Sequence, residues 1–320
     1  MMFRHACLIT LLSLLCACGP SDTPPFSGGV WQALAPLPGV RQEHGVAELG
    51  GRLYVVGGMN NVGITLDSVM AYDIAADQWT EVAPLPQPIH HPGVAAAGGK
   101  LYVLGGFNLL TPAFIALGDV YEYDPSTNVW TARAAMPAGS ERGAAAVATI
   151  DGLIYVAGGQ RGNAAVTDFS VYNPSADHWS VLPSLPTARE HLAGAAVDGK
   201  LYAIGGRSGP LHGEVEAYDP ATQQWSTRAA LPTPRGGGAA GVVDGRIIMV
   251  GGEGDSSSPR GVFSQAESYD PVRDRWSTLT PMAVPRHGIG AAGYNGRLHV
   301  PGGADREVLG PTDVNDALQL

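Results

Sequence analysis

Apolar and polar positions along this chain change over in short bursts, with no long helical stripe. The stretch from Gly93 shows the grammar. An alanine- and valine-rich run leads to Gly98-Gly99, then to the apolar Leu101 to Leu104, the pair Gly105-Gly106, a loop, Val120 to Pro125, and Trp130 before an exit at Met136-Pro137. Four apolar runs separated by glycine and Asx-Pro punctuation predict four β-strands. The first two are joined by Gly50-Gly51, Gly98-Gly99, Asp151-Gly152, Asp198-Gly199, Asp244-Gly245 or Asn295-Gly296. All of these accept the positive φ of a two-residue hairpin. The third strand closes on Tyr123-Asp124-Pro125, Tyr172-Asn173-Pro174, Tyr218-Asp219-Pro220 or Tyr269-Asp270-Pro271, with Tyr72-Asp73-Ile74 as the variant lacking proline.

The unit recurs about every fifty residues. Gly-Gly pairs ending an apolar run stand at Gly57, Gly105, Gly158, Gly205, Gly251 and Gly302, each with the next residue. Trp31, Trp79, Trp130, Trp179, Trp225 and Trp276 keep the same beat and are the only six tryptophans in the chain. A four-stranded unit cannot bury both faces alone, whereas radial stacking buries both. Small residues then suit the crowded axis, and Trp and Tyr the wider gaps between units.

Gly-Gly, Tyr-Asp-Pro and Trp at this period resemble the kelch repeat over residues 29 to 320. The resemblance implies an all-β fold, a six-bladed kelch-type β-propeller. The tryptophan-aspartate repeat is shorter and carries a Trp-Asp dipeptide that is absent here, and no sialidase-type Ser-x-Asp-x-Gly-x-x-Trp box occurs. Trp31 precedes every Gly-Gly pair, and no Trp strand follows Gly302-Gly303. The ring is therefore expected to close by pairing Val30 to Leu34 with Asp313 to Leu318, which removes a free sheet edge.

Composition agrees with many short strands: 44 glycines, 25 prolines and 15% charged residues in 320. The formal charge of −10 would repel a phosphate backbone, so nucleic acid is not an expected partner. Met1 to Cys18, with Arg4 before an apolar run from Ala6 to Leu15, has the form of a secretory signal. Leu15-Cys16-Ala17-Cys18-Gly19 resembles a bacterial lipobox, which implies lipidation of Cys18, and Gly19 after it implies the outer membrane. The expected organisation is a signal peptide at 1–18, a flexible tether at 19–28 and the propeller at 29–320, exported, held at the envelope through the lipid alone, and monomeric. Cys7, Cys16 and Cys18 are the three cysteines, so the domain beyond them can form no internal disulfide.

Loops between the second and third strands share a face with the links between blades. They run Met59 to Asp67, Phe107 to Gly118, Gln160 to Thr167, Arg207 to Gly213, Glu253 to Gln265 and Ala304 to Thr312, and they differ from one another. Variable loops on a rigid scaffold are where binding is expected. Arginine recurs in the links at Arg41, Arg189, Arg235 and Arg286, with Glu43, His44, His90, His91, Glu141, Arg142, Glu190, His191 and His287 at neighbouring positions. Read as ligand-binding residues, Arg41, Arg189, Arg235, Arg286, His91 and Arg142 would ring the channel mouth and favour a polar or anionic ligand. The competing reading makes each arginine a brace between loops.

His90 and His91 are adjacent, and neighbours on an extended segment point to opposite faces, so no metal site is expected. No cofactor motif rises above the repeats. The resulting expectation is a binding module for a ligand or protein partner on the loop face. The alternative is a sugar-modifying enzyme resembling sialic-acid epimerases (mutarotases), with Glu190 as acid-base group beside Arg189 and His191. Galactose oxidase also contains kelch repeats, but its copper site resembles one with a tyrosine cross-linked to cysteine, and a domain without cysteine excludes that chemistry.

Overall fold

The structure is a computed structural model that describes residues 28–108 and 114–320. Cys18 and the expected signal and tether segments, up to residue 27, lie outside them. Six four-stranded antiparallel sheets are arranged as blades, and no helix occurs among the described residues. The first blade comprises Gly45–Leu49, Arg52–Val56, Val69–Asp73 and Gln78–Val82. Its counterparts begin at Gly93, Ala146, Ala193, Ala239 and Ala292. A small ribbon, Gln160–Arg161 with Ala164–Ala165, decorates the third blade.

The sixth blade joins the two ends of the described chain. Val30–Ala33 pairs antiparallel with Asn315–Gln319, with Trp31 opposite Leu318, and this strand continues the sheet through Arg297–Pro301 and Ala292–Tyr294. Pairing starts two residues later on the C-terminal strand than the sequence indicated. Leu34 still donates its amide to the Asn315 carbonyl at 2.9 Å.

The recurrent aromatic residues have a shared task at the periphery. In each blade the Trp indole N–H donates to a carbonyl just beyond the outer strand of the preceding blade: Trp79 to Ala35, Trp130 to Ala83, Trp179 to Ala134, Trp225 to Pro183, Trp276 to Ala229 and Trp31 to Thr280, all at 2.8–2.9 Å. Four blades double the latch. Asp77, Asn128, Asp177 and Asp274 accept both the amide of that same residue and the hydroxyl of their own blade's tyrosine, Tyr72, Tyr123, Tyr172 and Tyr269. Between blades, apolar clusters such as Tyr54, Val56, Leu101, Val103 and Tyr123 fill the wedge.

Nearer the axis the Gly-Gly pairs provide the clearance. Gly57 has φ 62°, and a Cβ there would lie 2.2 Å from the Ile89 carbonyl oxygen of the link into the next blade. Gly58 uses that closeness to donate its amide to the same carbonyl at 2.8 Å.

Candidate functional site

At the axis, six residues just before the first strand of each blade adopt left-handed backbone: Glu43, His91, Ala144, His191, Gly237 and Gly288, with φ between 51° and 66°. Each donates its amide to the carbonyl of its counterpart in the preceding blade at 2.7–3.1 Å, and Glu43 to Gly288 completes the circle. This closed ring of six hydrogen bonds fixes where the attached side chains emerge.

Three ring positions carry functional groups, and these converge. The donor atoms of Glu43, His91 and His191 lie within 4.8 Å of one another, and all three residues are buried. His91 Nε2 is 3.0 Å from Glu43 Oε2, and the two imidazoles meet edge to face at 4.8 Å. Glycine at 288 makes room, since a Cβ there would stand 2.5 Å from Glu43 Oε1. The three side chains separate an axial cavity of about 100 Å³ from a bowl of about 340 Å³ that opens on the loop face.

A second tier surrounds them. The residue after each Gly-Gly pair forms a two-way backbone bridge to the residue before each ring position: Arg207 with Glu190, Phe107 with His90, Met59 with Gln42, Gln160 with Gly143, Glu253 with Gly236 and Ala304 with His287. Arg207 reaches over the floor, with Nε 2.7 Å from Glu190 Oε1 and a terminal nitrogen on Glu253. Glu190 also binds His191 Nδ1, while His287 Nδ1 lies 3.3 Å from Glu253 and 3.6 Å from Glu43. Burial would raise the Glu190 carboxyl, but His191 and Arg207 outweigh it and hold its pKa down at about 2. His191 is raised despite burial because Glu190 hydrogen-bonds it and is charged. His90 and His44 are pushed down to about 3, chiefly by burial.

The upper wall is apolar. Phe114 stacks on Phe107 at 5.0 Å and packs against His90 and His91, so the end of the apolar 107–118 loop folds inward over the mouth. Met59, Val308 and Leu309 line the bowl as well. A larger open cleft of about 610 Å³ lies off axis between the 253–265 and 304–312 loops, lined by exposed Arg260 and Arg306.

Several sequence expectations change here. The recurrent arginines face into the blades, not the mouth. Arg189, Arg235 and Arg286 are fully buried and pair with Glu216 at 2.6 Å, Glu267 at 2.5 Å and Asp316. Arg41 and Arg142 reach Ser68 and Ser170 and backbone carbonyls. A guanidinium desolvated and paired in this way is a brace, with no face left for a ligand. Of the residues expected to bind, His91 reaches the bowl floor, and the acid-base candidates His191 and Glu190 lie beside and behind it. Glu190 is poorly suited to donate a proton, because a carboxyl held near 2 stays ionised at neutral pH, and its oxygens are already engaged by His191 and Arg207. The expectation of no metal-ligand geometry rested on extended backbone, yet His91 has φ 51°, which turns its Nδ1 to within 2.5 Å of His90 Nδ1 and its Nε2 toward Glu43.

Arg207 and Glu253 were not singled out from the sequence. Their signal was positional: each immediately follows a Gly-Gly pair.

Comparison with known proteins agrees with this geometry. The KLHDC2/KLHL20/DRC7 Kelch-repeats domain matches residues 29–185 and again 137–303. The chain belongs to the kelch-repeat family. Kelch-like protein terF of Aspergillus terreus is 34% identical over 92% of this chain and 69% of its own length. Kelch-like protein 23 of Pongo abelii is 31% identical over 86% of the chain but only 39% of its own length. For Kelch-like protein 24 of Rattus norvegicus the values are 45% over 56% and 28%. The solved structure titled "Structure of YjhT" superposes with a TM-score of 0.77 over 90% of this chain and 97% of that one. At 18% identity this likeness establishes the six-bladed kelch fold alone. Kelch propellers are typically protein-interaction modules, and these matches lend the sugar-epimerase alternative no support.

Proposed function

We propose that this kelch propeller binds a segment of a partner protein in the bowl on its loop face. Apolar side chains of the lip would grip the segment, while the polar floor fixes its orientation. The observation that carries the reading is Val308. It is 85% exposed, yet its backbone is held at φ 68°, a conformation a β-branched residue adopts only under strain. The strain is imposed by Gln42, whose side-chain amide donates to the Val308 carbonyl and accepts from the Gly310 amide. A residue strained in this way without contributing to the core is explained by what it presents outward. Val62, Ile64, Ile115 and Leu309 add exposed apolar surface on the same face.

The floor does not favour an anionic ligand. Its guanidinium, Arg207, is already shared between two carboxylates. Alanine substitution at Phe114, Val308 and Leu309 should weaken a defined partner at least about tenfold without unfolding the propeller. Unchanged affinity would remove the bowl from the interaction.

The proposal extends to location: export, with Cys18 as lipid acceptor, is supported by the N-terminal pattern of charge, apolar run and cysteine. Labelled palmitate should enter the wild-type protein and not Cys18→Ser. Equal labelling would overturn it.

A further inference from the structure

We infer that Glu43, His91 and His191 form a binding site for a divalent transition metal of the zinc class, at the floor of the bowl. Two imidazoles and one carboxylate are a ligand set suited to such ions, with coordination positions left open. Donors at about 2.0–2.2 Å from a tetrahedral ion stand roughly 3.4 Å apart. The His91 and Glu43 donors are slightly closer than that, at 3.0 Å, and the triad's limit of 4.8 Å means that small side-chain rotations would bring all three to it.

The surroundings orient both imidazoles. Glu190 accepts at His191 Nδ1 and His90 sits on His91 Nδ1, which directs the Nε2 atoms inward, as buried partners of metal-bound histidines do. His287 Nδ1 stands 3.6 Å from Glu43 Oε1, beyond hydrogen-bond distance. Arg207 Nη2 lies at 3.5 and 3.4 Å from the two His191 ring nitrogens, long contacts that an ion at Nε2 would displace.

Charge points the same way. Three carboxylates, Glu43, Glu190 and Glu253, face one guanidinium, Arg207, in a largely buried space. With the imidazoles deprotonated, as metal ligation requires, that leaves an excess of two negative charges, which a divalent cation offsets. The three ligands come from three different blades, and the closed backbone ring holds their separations, so the site is set before any ion arrives.

The inference does not depend on the partner reading, and its test contains no partner. Untagged protein, stripped with chelator, is titrated with Zn²⁺ by calorimetry and with Co²⁺ by visible absorption. The wild type should bind one equivalent, show the intense Co²⁺ bands of a four-coordinate site, and gain thermal stability with Zn²⁺. His91→Asn and His191→Asn keep a residue that tolerates left-handed backbone and should lose more than about a hundredfold in affinity. Glu190→Gln should lose about ten- to a hundredfold. Exposed His178→Ala should change nothing. No stoichiometric uptake by the wild type, or uptake undiminished in both asparagine variants, overturns the site.

Discussion

The amide of Glu43 donates to the carbonyl of Gly288 at 2.8 Å, joining the first blade to the sixth at the axis. The same junction is made at the periphery, where Trp79 holds Ala35, and in the sheet, where Val30–Ala33 lies against Asn315–Gln319. Ring closure therefore has three independent layers, all meeting where the ends of the propeller join. A chain lacking residues 28–34 loses the sheet pairing together with the Trp31 latch on Thr280. Its unfolding free energy should fall by more than about 3 kcal/mol, measured by denaturant titration. An unchanged midpoint would show that the remaining contacts close the ring unaided.

The buried arginines make a separate prediction. Arg235→Ala leaves Glu267 unpaired in the blade and should cost about 3–5 kcal/mol. Replacing both partners, Arg235→Met with Glu267→Leu, should recover most of that, because desolvating the pair offsets much of its attraction. If the arginine served a ligand, the single variant would unfold like the wild type.

Val308 gives a prediction of opposite sign. Val308→Asn relieves left-handed strain and should stabilise the protein by about 1 kcal/mol while weakening the partner. A destabilised variant would mean that the side chain supports the loop it stands on.

Stability should peak near pH 6.5. His44 and His90 have folded-state values depressed to about 3 from 6.5, chiefly by burial, and His299 to about 4. As pH falls below 6.5 the unfolded chain takes up protons that the folded chain does not, so stability drops by about 1.4 kcal/mol per pH unit for each such group. His191 acts in the other direction. Its folded value is raised, so its contribution is complete below 6.5 and is lost as pH rises through that raised value. Chemical denaturation across the range should show both limbs, and His44→Gln should flatten the acid one. A stability that is level from pH 4 to 6.5 would contradict the assignment of neutral buried histidines.

How much of this was legible in the sequence follows from the kind of contact each residue makes. Trp79, Tyr72 and Gly57 perform a task repeated in every blade, so recurrence alone exposed them, and the ring closure followed from the offset between two series. The arginines recurred as well, but a charge at a fixed offset can face inward or outward. What decides is strand register, which sets Arg189 against Glu216 and Arg235 against Glu267. The acidic partners sit two residues before Tyr218 and Tyr269, a coincidence that acquires meaning only once the third strand is placed. The floor was the least legible part, because its residues break the repeat. Ala144, Gly237 and Gly288 occupy the same ring positions as Glu43, His91 and His191, and their smallness is what lets three larger side chains converge.

The most direct test of the bowl as the binding surface is site-specific photocrosslinking in the native host. A crosslinking residue at Phe114 or Leu309 should capture the same partner protein, whereas one at Asp151 or Asp244, in the tight turns of the opposite face, should not. Capture of that partner from the turn face, with none from the bowl, would contradict the account.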